Sequence, residues 1–296
     1  MGFFDWWKSE SRAKGKKLDV DARFELLREA ISGTMSKFYT ARDRNTGDIV
    51  GLKIGDSEKV EAFETRFKGL NKPSEGEIAV SLKHPRIVQT LEFGLTTKGL
   101  RYVVMEFLPG PGLHTLINTR DPVLIGKRGE LVRQMAEAIE YLHGAEYIHR
   151  DICPRNFICA PDATSLKLID FGLSLPATRN FMQPGNRTGT PIFMAPEVSR
   201  RRWTDQRVDL FSLGVSAYQL CTFDYPWPVG ENPAISALRY DTDPPREILD
   251  ARPDLNRELA AAIMKCLAAD PNQRPASATE FLQMIRNVKT ETSPDY

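Results

Sequence analysis

The sequence predicts an α+β fold in which a small part with antiparallel strands is followed by a larger, mainly helical part. Three observations support this prediction. Between about residues 24 and 107, short runs of β-branched and aromatic residues are separated by turn residues, as expected for strands and hairpins. After about residue 109, apolar residues recur at spacings of three and four, which is typical of amphipathic helices. The 296 residues are enough for one large domain or two lobes with ample core.

The composition is that of an ordinary globular protein, with 41% hydrophobic and 27% charged residues. The 40 basic and 39 acidic residues give a net charge of +1, which argues against a nucleic-acid-coating protein but does not exclude a local basic patch. The four cysteines show neither zinc-site spacing nor the density of a disulfide framework. No apolar run is long enough to span a membrane, and charged residues near the start interrupt any signal peptide. We therefore expect reduced thiols and a cytoplasmic location.

Residues 1–20 form an N-terminal extension in which two aromatic pairs, Phe3-Phe4 and Trp6-Trp7, precede a basic run. Such a segment can lie at an anionic membrane surface, so a weak membrane-surface contact through residues 3–17 is one interpretation. The other is a tail whose aromatic residues dock on the rest of the chain. We favour the second, because one short aromatic cluster gives only marginal membrane affinity.

The small part reads as a strand-rich segment with one helix. Segments 37–42 and 49–54 are predicted strands joined by a turn. A helix containing Glu75 follows, and it should end before Pro85 because proline disfavours helical geometry in the residue that precedes it. Segment 101–105 is predicted to be a buried strand.

The larger part begins after a hinge, which the proline and glycine residues between 106 and 112 indicate. An amphipathic helix is predicted at 131–142, and a buried helix is predicted at 208–221 because that segment is strongly apolar. Segments 260–267 and 278–285 are predicted to be the closing helices.

The chemistry of the chain is concentrated between these helices. Residues 148–156 read IHRDICPRN and residues 170–172 read DFG, and the apolar segments between them look like a short hairpin. This arrangement places Asp151, Asn156 and Asp170 beside one hairpin. A carboxylate that accepts a hydroxyl proton, together with an amide and a second carboxylate that hold a divalent metal, are the minimum parts for phosphoryl transfer.

Three further segments follow in a characteristic order: GTPIFMAPE at 189–197, DLFSLG at 209–214 and DPNQRP at 270–275. With these motifs the chain resembles the protein kinase family, and specifically eukaryotic-like serine/threonine kinases of the bacterial type. The resemblance covers residues 24–288. It implies a two-lobed protein kinase fold, with a small lobe of antiparallel sheet and one helix at 24–108 and a mainly helical large lobe at 109–288. Residues 289–296 are left as a C-terminal tail.

The resemblance also implies roles for individual residues, with ATP and Mg²⁺ as cofactors and a protein as substrate. Asp151 would accept or orient the substrate hydroxyl proton, and Thr190 would hydrogen-bond Asp151. Asn156 and Asp170 would hold magnesium, and Lys53 would contact the α- and β-phosphates. The other positions implied to contribute to the nucleotide site are Ala30, Ile31, Gly33, Phe38, Gly51, Glu75, Met105, Glu106, Leu108 and Ile158.

Supporting residues are implied in the same way. Glu75 and Glu77 both compete to pair with Lys53, and the family's spacing favours Glu75. Burial of the Asp209 carboxylate in a helix would cost free energy unless the carboxylate is hydrogen-bonded. By resemblance, Asp209 braces the backbone of the catalytic loop. Arg274 is expected to pair with Glu197.

The sequence departs from the family in its phosphate-covering loop. The three loop glycines should fall at positions 31, 33 and 36, but the chain has Ile31, Gly33 and Ser36, which should weaken the phosphate cradle without abolishing it. Phe38 stands where relatives usually keep valine, and Gly51 where they usually keep alanine. Phe38 therefore either stacks on adenine or fills the pocket in its place.

The catalytic loop departs from the family at Cys153, where serine/threonine kinases usually carry lysine. A thiol cannot replace the positive charge that lysine sets against the transferring phosphoryl group. Arg155 is our candidate for a compensating cation, because guanidinium suits phosphate oxygens well.

Control by phosphorylation is a further open point, because Asn186 stands where many relatives carry the activating phosphosite. A phosphate on Thr188 could pair with Arg150, while the alternative is a loop held by Asn186 and Arg187 without modification. The hydroxyl residues that remain as candidate phosphosites are Thr188, Thr178 and Ser174.

The sequence thus predicts a kinase that transfers the ATP γ-phosphoryl group to serine or threonine hydroxyls of a protein. The alternative from another class is a pseudokinase that acts as a nucleotide-binding, regulatory or scaffolding domain, as the altered glycine loop and Cys153 would allow. Phosphorylation of a small molecule is a third reading, which we place last because segment 189–197 serves peptide docking in the family.

Overall fold

A computed structural model describes residues 17–29 and 35–288 of the chain. These residues form two compact units. The first contains the described residues up to Lys83 together with Gln89–Phe107, and the second contains His84–Val88 and the residues from Leu108 onward. Residues 1–16, 30–34 and 289–296 lie outside the described residues, and with them most of the N-terminal extension, the C-terminal tail and the loop positions Ala30, Ile31 and Gly33.

The first unit is built on a five-stranded antiparallel sheet with the strand order β1-β2-β3-β5-β4. Its strands are β1 (Phe24–Glu29), β2 (Ser36–Asp43), β3 (Ile49–Gly55), β4 (Thr90–Leu95) and β5 (Arg101–Glu106). One core cluster forms where alternate residues of β2, β3 and β5 meet, as period-two side-chain alternation requires. In the hairpin of β2 and β3, Lys53 lies directly opposite Phe38.

The helices of this unit are α1 (Val20–Arg23), α2 (Ser57–Glu64) and α3 (Glu75–Ser81). The α+β fold class is confirmed, but the expectation of one helix in the small lobe needs correction. Helix α2 was not expected because it is short and mostly polar. It forms because Asp56 caps its N-terminus by accepting a hydrogen bond from the Lys59 N–H, and it buries Phe63.

The second unit is mainly helical. Its helices are α4 (Leu113–Asn118), α5 (Arg128–Gly144), α6 (Pro196–Ser199), α7 (Arg207–Thr222), α8 (Pro233–Ser236), α9 (Ile248–Ala251), α10 (Arg257–Cys266) and α11 (Ala278–Met284). Its strands form two short antiparallel pairs, β6 (Tyr147–Ile148) with β9 (Leu175–Pro176), and β7 (Phe157–Cys159) with β8 (Leu166–Leu168). The 3₁₀ turns used below are Pro154–Asn156 and Pro191–Phe193.

Helices α5 and α7 supply much of the core of this unit. The predicted apolar face of α5, from Leu131 to Leu142, is buried, and every residue of α7 from Val208 to Cys221 is buried. All four cysteines of the chain are free and buried. Within the described part of the chain, no helix is both long and apolar enough to cross a membrane.

Two segments next to the hinge are tied to the β7–β8 hairpin. Val88 donates a backbone hydrogen bond to Leu168 at 3.0 Å, which explains why residues 84–88 belong to the second unit. A Cβ atom on Gly110 would lie 1.9 Å from the carbonyl oxygen of Cys159, so only glycine fits there.

Candidate active site

The catalytic loop between β6 and β7 is held by a buried carboxylate of α7. Asp209 accepts hydrogen bonds from the backbone N–H groups of His149 and Arg150, both at 2.8 Å, and lies 2.9 Å from Nε2 of His143. Burial by itself would raise the pKa of Asp209, but the hydrogen bonds and the neighbouring histidines hold it below its ordinary value. Asp209 therefore braces the loop as an anion, as the resemblance implied.

Asp151 lies at the centre of a hydrogen-bonded group. Its Oδ1 accepts bonds from the backbone N–H of Thr190 at 2.7 Å and from the Thr190 hydroxyl at 2.8 Å. The amide nitrogen of Asn156 donates to the Asp151 carbonyl at 2.7 Å and to Oδ2 at 3.1 Å. Burial raises the pKa of Asp151, the hydrogen bonds from Thr190 oppose this, and the charge of Asp170 adds to the rise. The structure thus brings Asp151, Asn156 and Thr190 together.

The approach of the Thr190 segment to the catalytic loop depends on Gly189. This residue has a φ of +122°, and a Cβ atom on it would lie 2.6 Å from the carbonyl oxygen of Arg150. Any side chain at position 189 would therefore be strained and would push Thr190 away from Asp151.

Asp170 follows β8 and adopts a left-handed backbone conformation with a φ of +65°. Its Oδ1 accepts a hydrogen bond from the N–H of Gly172 at 3.1 Å. The next residue, Phe171, is buried edge-on against His149, with ring centroids 5.4 Å apart. Because the Asn156 amide nitrogen is bound to Asp151, its amide oxygen is the atom left for a cation. Together with the Asp170 carboxylate it supplies the oxygen donors that Mg²⁺ prefers.

Lys53 and Glu75 form an ion pair within the first unit. The Lys53 ammonium lies 2.5 Å from Oε1 of Glu75, and the Lys53 side chain is only 4% exposed. Glu77 instead completes a capping box with Ser74, whose backbone N–H and hydroxyl both donate to Glu77 at 2.8 Å. The competition between the two glutamates is therefore resolved in favour of Glu75.

The positions around Lys53 show how the departures from the family are accommodated. The Lys53 ammonium lies 5.1 Å from the centre of the Phe38 ring, which is a cation–π contact. A Cβ atom on Gly51 would lie 2.8 Å from Cγ of Met105, its cross-strand partner. Met105 therefore occupies the space that an alanine methyl would need. Ser36 is buried at the start of β2.

The hinge residues expected to recognise adenine include Glu106, which is hydrogen-bonded to Gln89. The Glu106 N–H donates to the Gln89 carbonyl at 3.0 Å, and its carboxylate accepts from the Gln89 N–H at 2.7 Å. Leu108 is half-buried. Ile158 of β7 forms an isolated bridge with Gly112. The backbone N–H of Glu106 is thus already paired within the first unit.

Cys153 and Arg155 differ sharply in their surroundings. Cys153 is buried with its Sγ 3.9 Å from the Thr190 hydroxyl, and burial raises its pKa to about 12, so it stays a neutral thiol. Arg155 is exposed in the 3₁₀ turn that carries Asn156. It has no ion-pair partner among the residues that the structure describes.

Side-chain hydrogen bonds hold the segment between Gly172 and Gly189. Arg150 donates to the Asn186 carbonyl at 3.1 Å, and Arg187 donates to the Ala234 carbonyl at 3.2 Å. The Thr188 hydroxyl donates to the Asn186 side chain at 3.2 Å. Ser174 must be dropped as a candidate phosphosite because its side chain is fully buried beside β9, whereas Thr178 is exposed.

The expected pair of Arg274 and Glu197 is present and buried. The two nitrogens Nη1 and Nη2 of Arg274 lie 2.7 and 2.9 Å from the two Glu197 oxygens, in a bidentate pair. Arg274 also donates to three backbone carbonyls, those of Arg207, Ala268 and Ala269. This group anchors helix α6, which follows directly on the Thr190 segment.

Sequence reasoning missed two residues of this site. His143 contacts Asp209 from α5, and its place in the last turn of an amphipathic helix gave no signal beyond an ordinary basic residue near a helix C-terminus. Gly76 follows Glu75 directly, and a Cβ atom on it would lie 2.4 to 2.5 Å from Cβ, Cγ and Cδ2 of Phe93 in β4. Gly76 thus lets α3 lie close against the sheet, which sets the position of Glu75.

Replacing Gly76 by alanine is therefore expected to push α3 away from β4 and to weaken the Lys53–Glu75 pair. Because misplacement of a positioning group by about 1 Å costs on the order of 10²-fold in rate, we expect kcat/KM for phosphoryl transfer to fall by about 10- to 100-fold. Steady-state kinetics of γ-phosphate transfer would measure this fall in kcat/KM. Gly144→Ala is the matched control, since a Cβ at that helical glycine meets nothing within 4 Å. Phe93→Ala in the Gly76→Ala background should restore part of the activity, and equal losses in both glycine variants would contradict the argument.

Comparisons with known proteins identify similar sequences. A family model described as protein kinase domain matches residues 24–285. The chain is 30% identical over 293 residues to the serine/threonine-protein kinase pkn3 of Myxococcus xanthus, covering 94% of this chain and 51% of that protein. It is 30% identical over 281 residues to the serine/threonine-protein kinase PknB of Mycolicibacterium smegmatis, covering 92% of this chain and 44% of that protein. The chain thus spans about half the length of these curated relatives.

Proposed function

The chain belongs to the protein kinase family, and we propose that it transfers the γ-phosphoryl group of ATP to serine or threonine hydroxyls of a protein substrate. The observation that carries the proposal is the hydrogen-bonded group of Asp151, Asn156 and Thr190. It supplies a carboxylate fixed by two donors from Thr190, next to an amide with its oxygen left for a cation. The Lys53–Glu75 pair in the first unit supplies an oriented ammonium for phosphate.

In the proposed reaction each of these residues has its own role. Asp151 receives or orients the proton of the substrate hydroxyl, and Thr190 holds the Asp151 carboxylate in one orientation. Asn156 and Asp170 provide oxygen ligands for Mg²⁺, which when bound would neutralise phosphate charge. Lys53, held by Glu75, binds phosphate oxygens. Adenine recognition falls to Met105, Glu106, Leu108 and Ile158.

The pseudokinase alternative receives no support from the geometry of the described residues. A pseudokinase needs none of these contacts, yet Asp151 keeps its bonds to Asn156 and Thr190, and Lys53 keeps its pair with Glu75. The contacts of Arg150 and Arg187 with backbone carbonyls also support a substrate-binding segment that is held without phosphorylation. Thr188 is the candidate phosphosite closest to this arrangement.

The proposal is tested by thermal unfolding with and without Mg²⁺ and ATP, beside an Asp170→Ala variant. A ligand that binds only the folded protein raises its stability by mass action, by about 2.7 kcal/mol at a ligand concentration 100 times Kd. We expect a magnesium-dependent rise in Tm that Asp170→Ala loses, followed by γ-phosphate transfer to a mixture of generic acidic and basic proteins. Such a rise would also support Phe38 as an adenine-stacking residue. Absence of both the rise and the transfer would favour the pseudokinase reading, with Phe38 filling the pocket.

Arg155 gives a separate prediction. If it replaces the lysine missing at position 153, Arg155→Ala should lower kcat by about 10²- to 10³-fold, in line with the loss of one group that stabilises transition-state charge. KM for ATP should change little. Arg155→Lys should retain part of the activity, and an unchanged kcat in Arg155→Ala would show that this guanidinium plays no part in the transfer.

A further inference from the structure

A cationic surface with an exposed indole lies on the second unit, outside the groups used above. We call it the arginine–tryptophan surface, and its members are Arg179, Arg200, Arg201, Arg202 and Trp203. Trp203 is 50% exposed, which is unusual for the largest apolar side chain, and tryptophan and arginine are the residues most enriched at the centres of protein interfaces. The Arg179 guanidinium lies 5.6 Å from the centre of the Trp203 ring. The two segments therefore form one continuous patch.

The positive charge of this surface is only partly balanced. Asp241 pairs with Arg200 at 2.9 Å and lies 3.6 Å from Arg202, so the charge of one carboxylate is shared between two guanidinium groups. Arg201 and Arg179 are exposed and have no carboxylate partner within the described ranges. In a chain whose formal net charge is +1, four arginines beside one aspartate are a local concentration of charge. The composition had left such a local basic patch open.

The surface is also held in a fixed shape. The Arg202 N–H donates to the Glu197 carbonyl at 2.7 Å, and the Gly185 N–H donates to the Arg201 carbonyl at 3.2 Å. The Thr204 N–H donates to the Met182 carbonyl at 3.2 Å. These bonds join the arginine run to helix α6 and to segment 182–185 of the same unit. A partner would therefore not have to order the loop when it binds, which lowers the entropic cost of association.

We propose that the arginine–tryptophan surface docks an acidic segment of a protein substrate. Guanidinium groups bind carboxylates through paired hydrogen bonds, and the exposed indole offers an apolar face for the side chains between the acidic residues. The location favours a substrate, because the arginine run follows directly on the segment from Thr190 to Glu197. A nucleic acid fits less well, because the surface is short and bordered by Asp241 and by Asp205, which is bound to Arg207. The assignment to a substrate rests on the proposed kinase function, whereas the binding itself does not.

The experiment uses two labelled 15-residue peptides, one rich in Asp and Glu with a single serine, the other with Asn and Gln in place of the acids. Binding to the full chain is followed by fluorescence anisotropy, and phosphorylation of the serine is measured separately. The test variant is Arg179→Glu with Arg201→Glu. The matched control is Arg257→Glu with Arg286→Glu, which changes the net charge equally at two exposed arginines elsewhere in this unit. Single-stranded RNA of similar length is the competing ligand.

We expect the acidic peptide to bind at least about tenfold more tightly than the neutral one, and raising NaCl from about 50 to about 300 mM to weaken it because exposed charges are screened. The test variant should lose this preference and the control should keep it. If folding of the test variant is in doubt, Arg201→Gln alone should weaken binding, since that side chain has no partner within the described ranges to lose. Equal binding of both peptides, equal losses in both double variants, or tighter binding of RNA would overturn the proposal. Binding of the acidic peptide without phosphorylation would keep the docking surface and count against the kinase function.

Discussion

Replacing Asp151 by asparagine is expected to lower kcat by about 10²- to 10⁴-fold, the usual contribution of a positioned general base. Asparagine keeps the size of the side chain and an oxygen that can still accept from Thr190, so the local fold should persist. It cannot take a proton or carry the negative charge that Asn156 and Thr190 now orient. The measurement is initial-rate kinetics of γ-phosphate transfer with the thermal unfolding profile recorded on the same samples.

The stabilisation by Mg²⁺ and ATP should remain in Asp151→Asn, because Asp151 is not one of the proposed metal ligands. That separates it from Asp170→Ala, in which we expect binding to be lost. Asp48→Asn, at an exposed aspartate of the first unit, is the matched control and should leave kcat unchanged. An Asp151→Asn protein with full activity would remove the central residue of the proposed mechanism.

The second large effect concerns stability. Replacing Glu197 by alanine leaves Arg274, whose side chain is 0% exposed, as a buried charge without its carboxylate. Removal of one partner of a buried ion pair typically costs about 3–5 kcal/mol, so we expect the free energy of unfolding of this unit to fall by about that amount. Urea unfolding followed by intrinsic fluorescence would measure it, because Trp227 is buried in this unit.

The matched control is Asp21→Ala, which removes the exposed pair of Asp21 and Lys98 at 2.9 Å. Exposed pairs are screened by water and salt, so the unfolding midpoint should not change measurably. Glu197→Gln should fall between the two, since an amide can still accept one hydrogen bond from Arg274. A loss in Glu197→Ala no larger than in the control would mean that the three backbone carbonyls around Arg274 are sufficient.

The sequence predicted the strand-rich and helical parts because runs of β-branched and aromatic residues marked β2 and β3, helical periodicity marked α5, and a continuously apolar segment marked α7. The catalytic residues could be predicted for a different reason. They lie close together in the sequence or in motifs of fixed spacing. The choice of Glu75 over Glu77, which the family's spacing favoured, also has a local signal in the sequence. Ser74 followed three residues later by Glu77 is a capping-box pattern, and it assigns Glu77 to the helix N-terminus.

Other features depend on contacts between distant segments and leave no local pattern. Gly76 matters because Phe93 of the distant strand β4 lies against it, and Ser174 is fully buried although its local sequence is that of a loop. Helix α2 was not predicted because its short, mostly polar segment has weak hydrophobic periodicity. The helix depends on its N-terminal cap at Asp56. The roles of Ala30, Ile31 and Gly33 stay predictions.

The burial of every cysteine has a practical consequence for labelling. The four thiols lie in the interior, and burial raises the pKa of Cys153, Cys159 and Cys266 to about 12, so few thiolates form at neutral pH. The native chain should therefore not react with maleimide dyes, and none of its cysteines has to be replaced first. One cysteine introduced at an exposed position such as Arg66 would then carry a single dye, which makes the protein ready for single-molecule and spin-label work in its natural sequence background.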